Sequence, residues 1–447
     1  MLFKNYNQII DNGKTPNLKQ IRRDILEIFS SAIASVNPYS SVKKIIQNNK
    51  IIVNSKVFNI SDFENIYLIG FGKASIGMSQ AISDSIRIKQ GIVITNSTES
   101  IVKDKNVSTY IGSHPIPDQK NVDATEKIIS LMKKTKKNDL LIVLISGGGS
   151  ALLCKPRIPL KDMQLATNLL LKSGLNINEI NTIRKHLSYV KGGQFVSYSN
   201  CNTVSLVISD IIGDPLSLIA SGPTYPDDTS FTDCKNILEK YNIYNYLPES
   251  VKKLISDGIK KKIPDTLKKE SSVFDKVNNF IIANNKIACD AAKEKAEELG
   301  YKTIILTTQL EGKSKDIGKF LVEKAKNYYN ESKKIMFISS GETIVTIKGN
   351  GRGGRNQEMI LSAINDLKDS NIVFASIGTD GIDGNSDAAG AIADSFSFEK
   401  ALDINLNPDL FLNNNNSYEF FNKINDLLFT GSTGTNVMDL QIIIKTN

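Results

Sequence analysis

The sequence predicts an α/β protein of two domains, the first with a parallel sheet and the second with a mixed sheet. Three observations predict it. Short, almost continuous apolar segments recur along the chain, each runs into a glycine-rich turn, and each turn opens a segment of helical pattern. Strands without polar alternation are buried on both faces, as parallel strands are. Parallel strands need crossover connections, so helices cover both faces of the sheet.

In chain order, residues 66–69 run into Gly70-Phe71-Gly72-Lys73-Ala74-Ser75, and 140–145 into Ser146-Gly147-Gly148-Gly149-Ser150. Residues 204–208 run into Ser209-Asp210-Ile211-Ile212-Gly213-Asp214-Pro215, 335–338 into SSGET, and 372–377 into GTDGIDG. Residues 300–307 predict a further strand, and 345–348 an antiparallel one that makes the second sheet mixed. The stretch 252–276 is lysine-rich, carries Pro264 and lacks a clear strand. It places the junction near residue 270 and the domains at 1–270 and 271–447.

A chain of 447 residues, 40% hydrophobic and 23% charged, can bury a full core without disulfides, which excludes global disorder, collagen and a coiled-coil rod. The formal charge of +8 is spread over scattered lysines, which suits an anionic small substrate better than nucleic acid. Cys154, Cys201, Cys234 and Cys289 form no C-x-x-C pair, and with two histidines they suggest no zinc site. The longest apolar run, Leu140–Ile145, is far too short for a membrane span, and the start MLFKNYNQII lacks the apolar core of a signal peptide. The expectation is a reduced, cytoplasmic chain, monomeric or a small homo-oligomer, with neither membrane nor nucleic acid as partner.

The turns carry the chemistry. Glycines bring backbone N–H groups close to an anion, and Lys73 adds a point charge; the turn is neither a Walker A loop nor a dinucleotide fingerprint. Three glycines at Gly147–Gly149 sit at a strand's carboxyl end, where an open α/β sheet binds its ligands, and read as an anion nest or as close helix–strand packing. Asp210 and Asp214 could hold Mg²⁺, orient a hydroxyl or cap a helix. In GNGRGGRNQE, Arg352 and Arg355 stand among four glycines in a mobile loop and can clamp carboxylate or phosphate. Asp380, Asp383 and Asp387 lie close together after a strand and suit a Mg²⁺–nucleotide site or helix capping. His114 and His186 read as structural hydrogen-bonding residues, since no G-x-S-x-G elbow or Ser–His–Asp set is visible. Arg184, Lys185 and Lys191 read as a solvated helix face, and Asn413 to Asn416 as a loop.

Taken together, GFGKASIGM, SHPIPD, LISGGGSALL, RKHLSYVKGG, SDIIGDP with IASGPT, GRGGRNQE, GTDGIDG and TGSTGTNVMDL follow one another in an order that resembles the class II glycerate kinases, whose carboxyl half is the MOFRL module. The resemblance implies two α/β domains, one Rossmann-like with a parallel sheet and one with a mixed sheet, with the active site expected between them, and Mg²⁺-dependent transfer of the ATP γ-phosphoryl group to D-glycerate, usually giving 2-phosphoglycerate. It implies Lys73 as the essential lysine, Arg352 or Arg355 as the essential arginine, and Asp210 as the aspartate of the SD-x-x-GD motif; the catalytic set expected is Lys73, Arg355 and Asp210. From the residues themselves, Gly72, Ser146, Gly147, Gly148, Gly149, Ser150, Arg352 and Asn356 are expected to bind substrate or nucleotide, and one or more of Asp210, Asp214 and Asp380 to bind Mg²⁺ or orient the attacking hydroxyl, with Asp214 and Asp380 the metal candidates. Two other readings stand beside it: a nicotinamide-dependent hydroxypyruvate reductase, and a non-catalytic sensor of a phosphorylated metabolite.

Overall fold

A computed structural model describes residues 1–98, 101–328 and 334–446. The chain divides into two compact units, one formed by residues 38–282 and one by 1–37 with 283–447.

The first unit begins with a small antiparallel sheet of β1 (Ile46–Gln47), β2 (Lys50–Val53) and β3 (Lys56–Asn59). Its main sheet contains β4 (Ile66–Phe71), β5 (Gln90–Thr95), β6 (Val107–Ile111), β7 (Leu140–Ile145), β8 (Asn202–Ile208) and β9 (Val277–Ala283), in the order β6-β5-β4-β7-β8-β9. The pairs from β6 to β8 are parallel. Every residue of β4 and β7 is buried, which is why their sequences carry no polar alternation. Phe71 pairs with Ile145, and Ile145 with Val207, so β4, β7 and β8 end nearly level. The turns that follow them therefore stand side by side at one edge. A helical lobe lies beside the sheet, where Leu170, Ile183, Phe231, Leu238 and Val251 share an apolar core.

The second unit contains β10 (Lys302–Leu310), β11 (Lys334–Gly341), β12 (Ile372–Gly378), β13 (Gly390–Ala393), β14 (Leu427–Leu428) and β15 (Asp439–Thr446). Their order is β10-β11-β15-β12-β13-β14. β10 and β11 are parallel, whereas β15 runs antiparallel to β11 on one side and β12 on the other, so the sheet is mixed. The antiparallel character comes from β15 and from β13 and β14, not from residues 345–348. The latter segment forms no strand, because it has no strand partner and Ile347 is 80% exposed.

The two compact units differ from domains 1–270 and 271–447. The first 37 residues pack with the mixed sheet, and the division falls at residue 282. Thr15 caps the helix Pro16–Ser35, and that helix carries Arg22 into the core of the mixed-sheet unit. There Arg22 donates to Asp394 at 2.6 and 2.9 Å and to Asp426 at 2.6 Å, with all three side chains fully buried. Tyr301 donates to Asp24 of the same helix at 2.5 Å. A buried cation must stay with its carboxylates, and these lie about 400 residues along the chain.

Candidate active site

In the parallel-sheet unit the turns after β4 and β7 are stitched together. Lys73 N–H donates to the Gly147 carbonyl at 2.8 Å, and Ala74 N–H to Ser146 Oγ at 3.1 Å. Gly72 has φ +123°, and a Cβ there would lie 2.2 Å from Ser146 Oγ, so only glycine allows this approach. The three central glycines face different neighbours. A Cβ on Gly147 would lie 2.3 Å from Asp210 Oδ2, and one on Gly148 would lie 3.3 Å from both His114 Nε2 and Lys73 Cγ. A Cβ on Gly149 would lie 2.8 Å from the Ala220 methyl. The nest and packing readings are thus divided among them: Gly149 is packed, while Gly147 and Gly148 face Asp210, His114 and Lys73. Lys73 itself is exposed.

Asp210 follows β8, and Asp214 has a left-handed φ of 56°. Neither caps a helix, since the next one, Ile219–Ser221, begins after Leu218. Ser150 Oγ bonds Ser221 Oγ at 2.9 Å, and Ser221 in turn donates to Asn181 at 2.7 Å.

Lys185 and Lys191 are buried, contrary to the expectation of a solvated face. Lys185 pairs with Asp227 at 3.1 Å. Lys191 donates to the carbonyls of Ser150 and Leu153 at 2.6 and 3.2 Å, holding the short helix that follows the triple glycine. Burial pushes the Lys191 ammonium down to about 8. Arg184 is likewise lowered by burial.

The mixed-sheet unit carries Arg352, Arg355, Asn356 and Asp380. Asp439 pairs with Gly341 of β11 and Gly378 of β12, so it lies between the ends of both strands. Arg355 opens the helix Arg355–Ser362 and donates from Nε and Nη2 to the two Asp439 oxygens at 2.5 and 3.0 Å, while Nη1 bonds Glu342. Burial pushes the Asp439 carboxyl up to about 7, against the pull of Arg355. Burial also disfavours the Arg355 cation, but Asp439 and Glu342 more than offset this and raise its pKa.

Arg352 donates to Asp387 at 2.6 Å and lies 3.8 Å over the Tyr418 ring. Asn356 is buried away from the cleft surface. Its amide donates to Asp383 at 3.1 Å and accepts from Ser376 at 2.5 Å, so it anchors the helix rather than presenting a free group. Asp383 caps that helix by accepting from the N–H groups of Asn356 and Gln357 at 3.0 and 2.9 Å. Asp380 accepts locally from Ile382 N–H at 3.1 Å.

The arginine loop is clasped by the asparagine run that follows it in the chain. Asn415 Oδ1 accepts from Lys348 and Gly349 N–H at 2.7 and 3.0 Å, and its amide donates to Thr346 and Glu358. Asn416 Oδ1 accepts from Arg352 N–H at 3.0 Å, and the Asn414 carbonyl from Gly351 N–H at 2.9 Å. A Cβ on Gly351 would lie 2.4 Å from Asn416 Cβ, so the loop glycines serve this clasp. Beside the loop opens a cleft of about 940 Å³, lined by Glu342, Gly351, Arg355, Asp380 and Ile382 among others. Ile344, Ile347 and Ile382, 61%, 80% and 51% exposed, give it an apolar edge.

Sequence reasoning missed Asp439, Glu342, Lys191 and the asparagine clasp. Asp439 and Glu342 stood at the ends of recognised motifs, but the pairing that unites them with Arg355 is set by β15. Among the described residues no group of three or more His, Cys, Asp or Glu side chains is placed to hold a metal ion. Mg²⁺ bound to phosphates keeps several waters and takes only one or two protein carboxylates. A carboxylate such as Asp380 beside the arginines would suffice for such a phosphate-borne cation.

A family model described as a domain of unknown function, DUF4147, matches residues 24–256, and the MOFRL family model matches residues 335–439. The chain is 40% identical to a protein of Pyrococcus horikoshii named glycerate 2-kinase, covering 96% of this chain and 98% of that protein. A crystal structure of glycerate kinase from Thermotoga maritima superposes with a TM-score of 0.85 at 36% identity, covering 96% of this chain and all of that one. A relative from Agrobacterium vitis, 34% identical over 98% of both chains, is named provisionally as a hydroxypyruvate reductase. The matches place the chain among the phosphotransferases that use an alcohol group as acceptor. Within that class it belongs to the class II glycerate kinase family.

Proposed function

We propose that the chain transfers the γ-phosphoryl group of ATP, presented with Mg²⁺, to the C2 hydroxyl of D-glycerate. The observation that carries this reading is the gathering of Lys73, His114 and Asp210 around Gly147 and Gly148 at the carboxyl ends of β4, β7 and β8. Phosphoryl transfer asks a protein mainly for alignment and charge neutralisation. Lys73 and the N–H groups around Gly147 and Gly148 hold an anionic substrate group, and Asp210 orients the attacking hydroxyl.

In the mixed-sheet unit Arg355 is anchored by Asp439. Its Nη1 takes a phosphate oxygen in exchange for the half-exposed Glu342. Arg352 assists with the same phosphates. The apolar edge at Ile344, Ile347 and Ile382 suits a nucleobase beside an arginine. Asp380, in the same unit as Arg355, would hold the phosphate-borne Mg²⁺, which would supply charge neutralisation on the transferring group.

Release of ADP from ATP, Mg²⁺ and D-glycerate tests the reading. It predicts glycerate-dependent release that Lys73→Ala lowers by about 100-fold or more while melting as wild type does. Undiminished release in the folded variant would remove Lys73 from the reaction. The Agrobacterium relative's name favours a second reading, reduction of hydroxypyruvate, although the turn Gly70–Ser75 lacks G-x-G-x-x-G. Hydroxypyruvate-dependent oxidation of NADH would support that second reading instead.

A further inference from the structure

The chain has two histidines, and the structure treats them differently. His186 is fully buried. Its Nδ1 bonds the Thr182 carbonyl and its Nε2 bonds Asp265, both at 2.7 Å, and its ring packs edge-on against Phe231. Both nitrogens are committed, so His186 is a structural residue.

His114 is half-buried and lies on the loop between β6 and the helix Gln119–Met132. The backbone just before it is fixed. Ser113 N–H donates to Asn121 Oδ1 at 2.9 Å, the Asn121 amide donates to the Ser113 carbonyl at 3.0 Å, and Ser113 Oγ donates to Asp118 at 2.6 Å. The same Asn121 amide donates to the Ala151 carbonyl at 3.1 Å, which ties the histidine's loop to the helix that follows the triple glycine. The ring is thereby aimed at Gly148. A Cβ on Gly148 would lie 3.2 Å from Cδ2 and 3.3 Å from Nε2, so the absence of a side chain there lets the ring stand against the turn that is expected to hold the anion. Lys73 borders the same space, and Asp210 stands at the neighbouring Gly147.

We propose that His114 is a further catalytic residue, which takes the proton of the acceptor hydroxyl as its oxygen attacks phosphorus. This rests on the phosphotransferase reading above. In the step the hydroxyl O–H bond breaks and its proton goes to an imidazole nitrogen. An O–P bond to the acceptor forms, and the bond from phosphorus to the bridging oxygen breaks, its electron pair leaving with the nucleoside diphosphate. The imidazolium then returns its proton to solvent. Burial and the Lys73 charge both lower the His114 pKa, which keeps a nitrogen lone pair available near neutral pH. Lys73 is the charge that acts on the ring; Asp210 stands at the adjacent glycine, and Asp118 of the same loop is engaged by Ser113.

Glycerate-dependent ADP release by the full chain, with His114→Ala and His114→Gln, tests the assignment. Both variants should lose about 100-fold in kcat. Both should keep KM for D-glycerate within about threefold, the mark of a group acting in the transition state alone, and melt as wild type does. The fall of kcat/KM toward acid pH should be present in wild type and absent in His114→Gln. Glutamine can hydrogen-bond but cannot take a proton, so turnover restored by glutamine would make His114 a binding group and overturn the proposal. An unaffected His114→Ala enzyme would overturn it as well. A wild-type protein that releases no ADP would overturn the phosphotransferase reading itself, and this proposal with it.

Discussion

Gly147→Ala isolates the placement of Asp210. A Cβ at Gly147 would lie 2.3 Å from Asp210 Oδ2 and 3.0 Å from its Cγ. Carbon–oxygen contacts are comfortable only from about 3.3 Å, so the carboxylate must withdraw by about 1 Å. Gly147 has no left-handed φ, so the backbone itself adds no strain. The displaced atom is the end of a side chain, and the folding cost should be about 1 kcal/mol. A 1 Å displacement of an aligning group costs about 100-fold in rate. The variant should therefore melt close to wild type and lose about two orders of magnitude in kcat for glycerate-dependent ADP release. Gly149→Ala makes the contrast, since its methyl would meet Ala220 Cβ at 2.8 Å inside packed structure and should harm folding first. A Gly147→Ala enzyme with wild-type kcat would show that the position of Asp210 is irrelevant to the reaction.

Three further outcomes are expected. Arg22→Ala leaves Asp394 and Asp426 buried without their cation and should destabilise the protein by about 3–5 kcal/mol in urea unfolding; a loss under about 1 kcal/mol would contradict the anchoring of the N-terminal helix. Lys191 titrates near 8 when folded and near 10.5 when unfolded, so the unfolded chain binds the extra proton between those values, and stability from this group rises with pH through that window. Wild type should thus gain on Lys191→Met by up to about 3 kcal/mol from pH 8 upward, and a gap that shrinks with pH would refute the assignment. Asn415→Ala removes the acceptor of two loop N–H groups, so amides at residues 348–352 should exchange hydrogen at least about tenfold faster by mass spectrometry, and unchanged protection would remove the clasp.

Much of this architecture was legible in the sequence because buried parallel strands are nearly pure hydrocarbon. Leu140–Ile145 and the segment at 66–69 announce themselves, and the glycine turns mark where each strand ends. The run at 345–348 misled, since a few apolar residues can edge a cleft as well as pair in a sheet. β15 was harder to read, because a strand that inserts between two others late in the chain has no local signature of its neighbours. The docking of the first 37 residues was hidden for the same reason: Arg22 looks like any helical arginine until Asp394 and Asp426 are found beside it.

At the site, the residue types and their turns could be read, but their commitments could not. Asn356 and Arg355 are adjacent in the chain, yet one is buried on Asp383 and the other lines the cleft. Lys191 resembles a solvated lysine in sequence and is a buried support for the triple-glycine turn. The asparagine run read only as a loop, because the hydrogen bonds that make it a clasp reach back more than 60 residues.

A phosphorus NMR spectrum of the reaction with ATP, Mg²⁺ and D-glycerate bears most directly on the function proposed for these residues. The expected result is loss of the ATP γ-phosphate signal with matching growth of the 2-phosphoglycerate phosphomonoester. Intact ATP beside folded protein would contradict phosphoryl transfer to glycerate, and a 3-phosphoglycerate signal alone would contradict attack by the C2 hydroxyl.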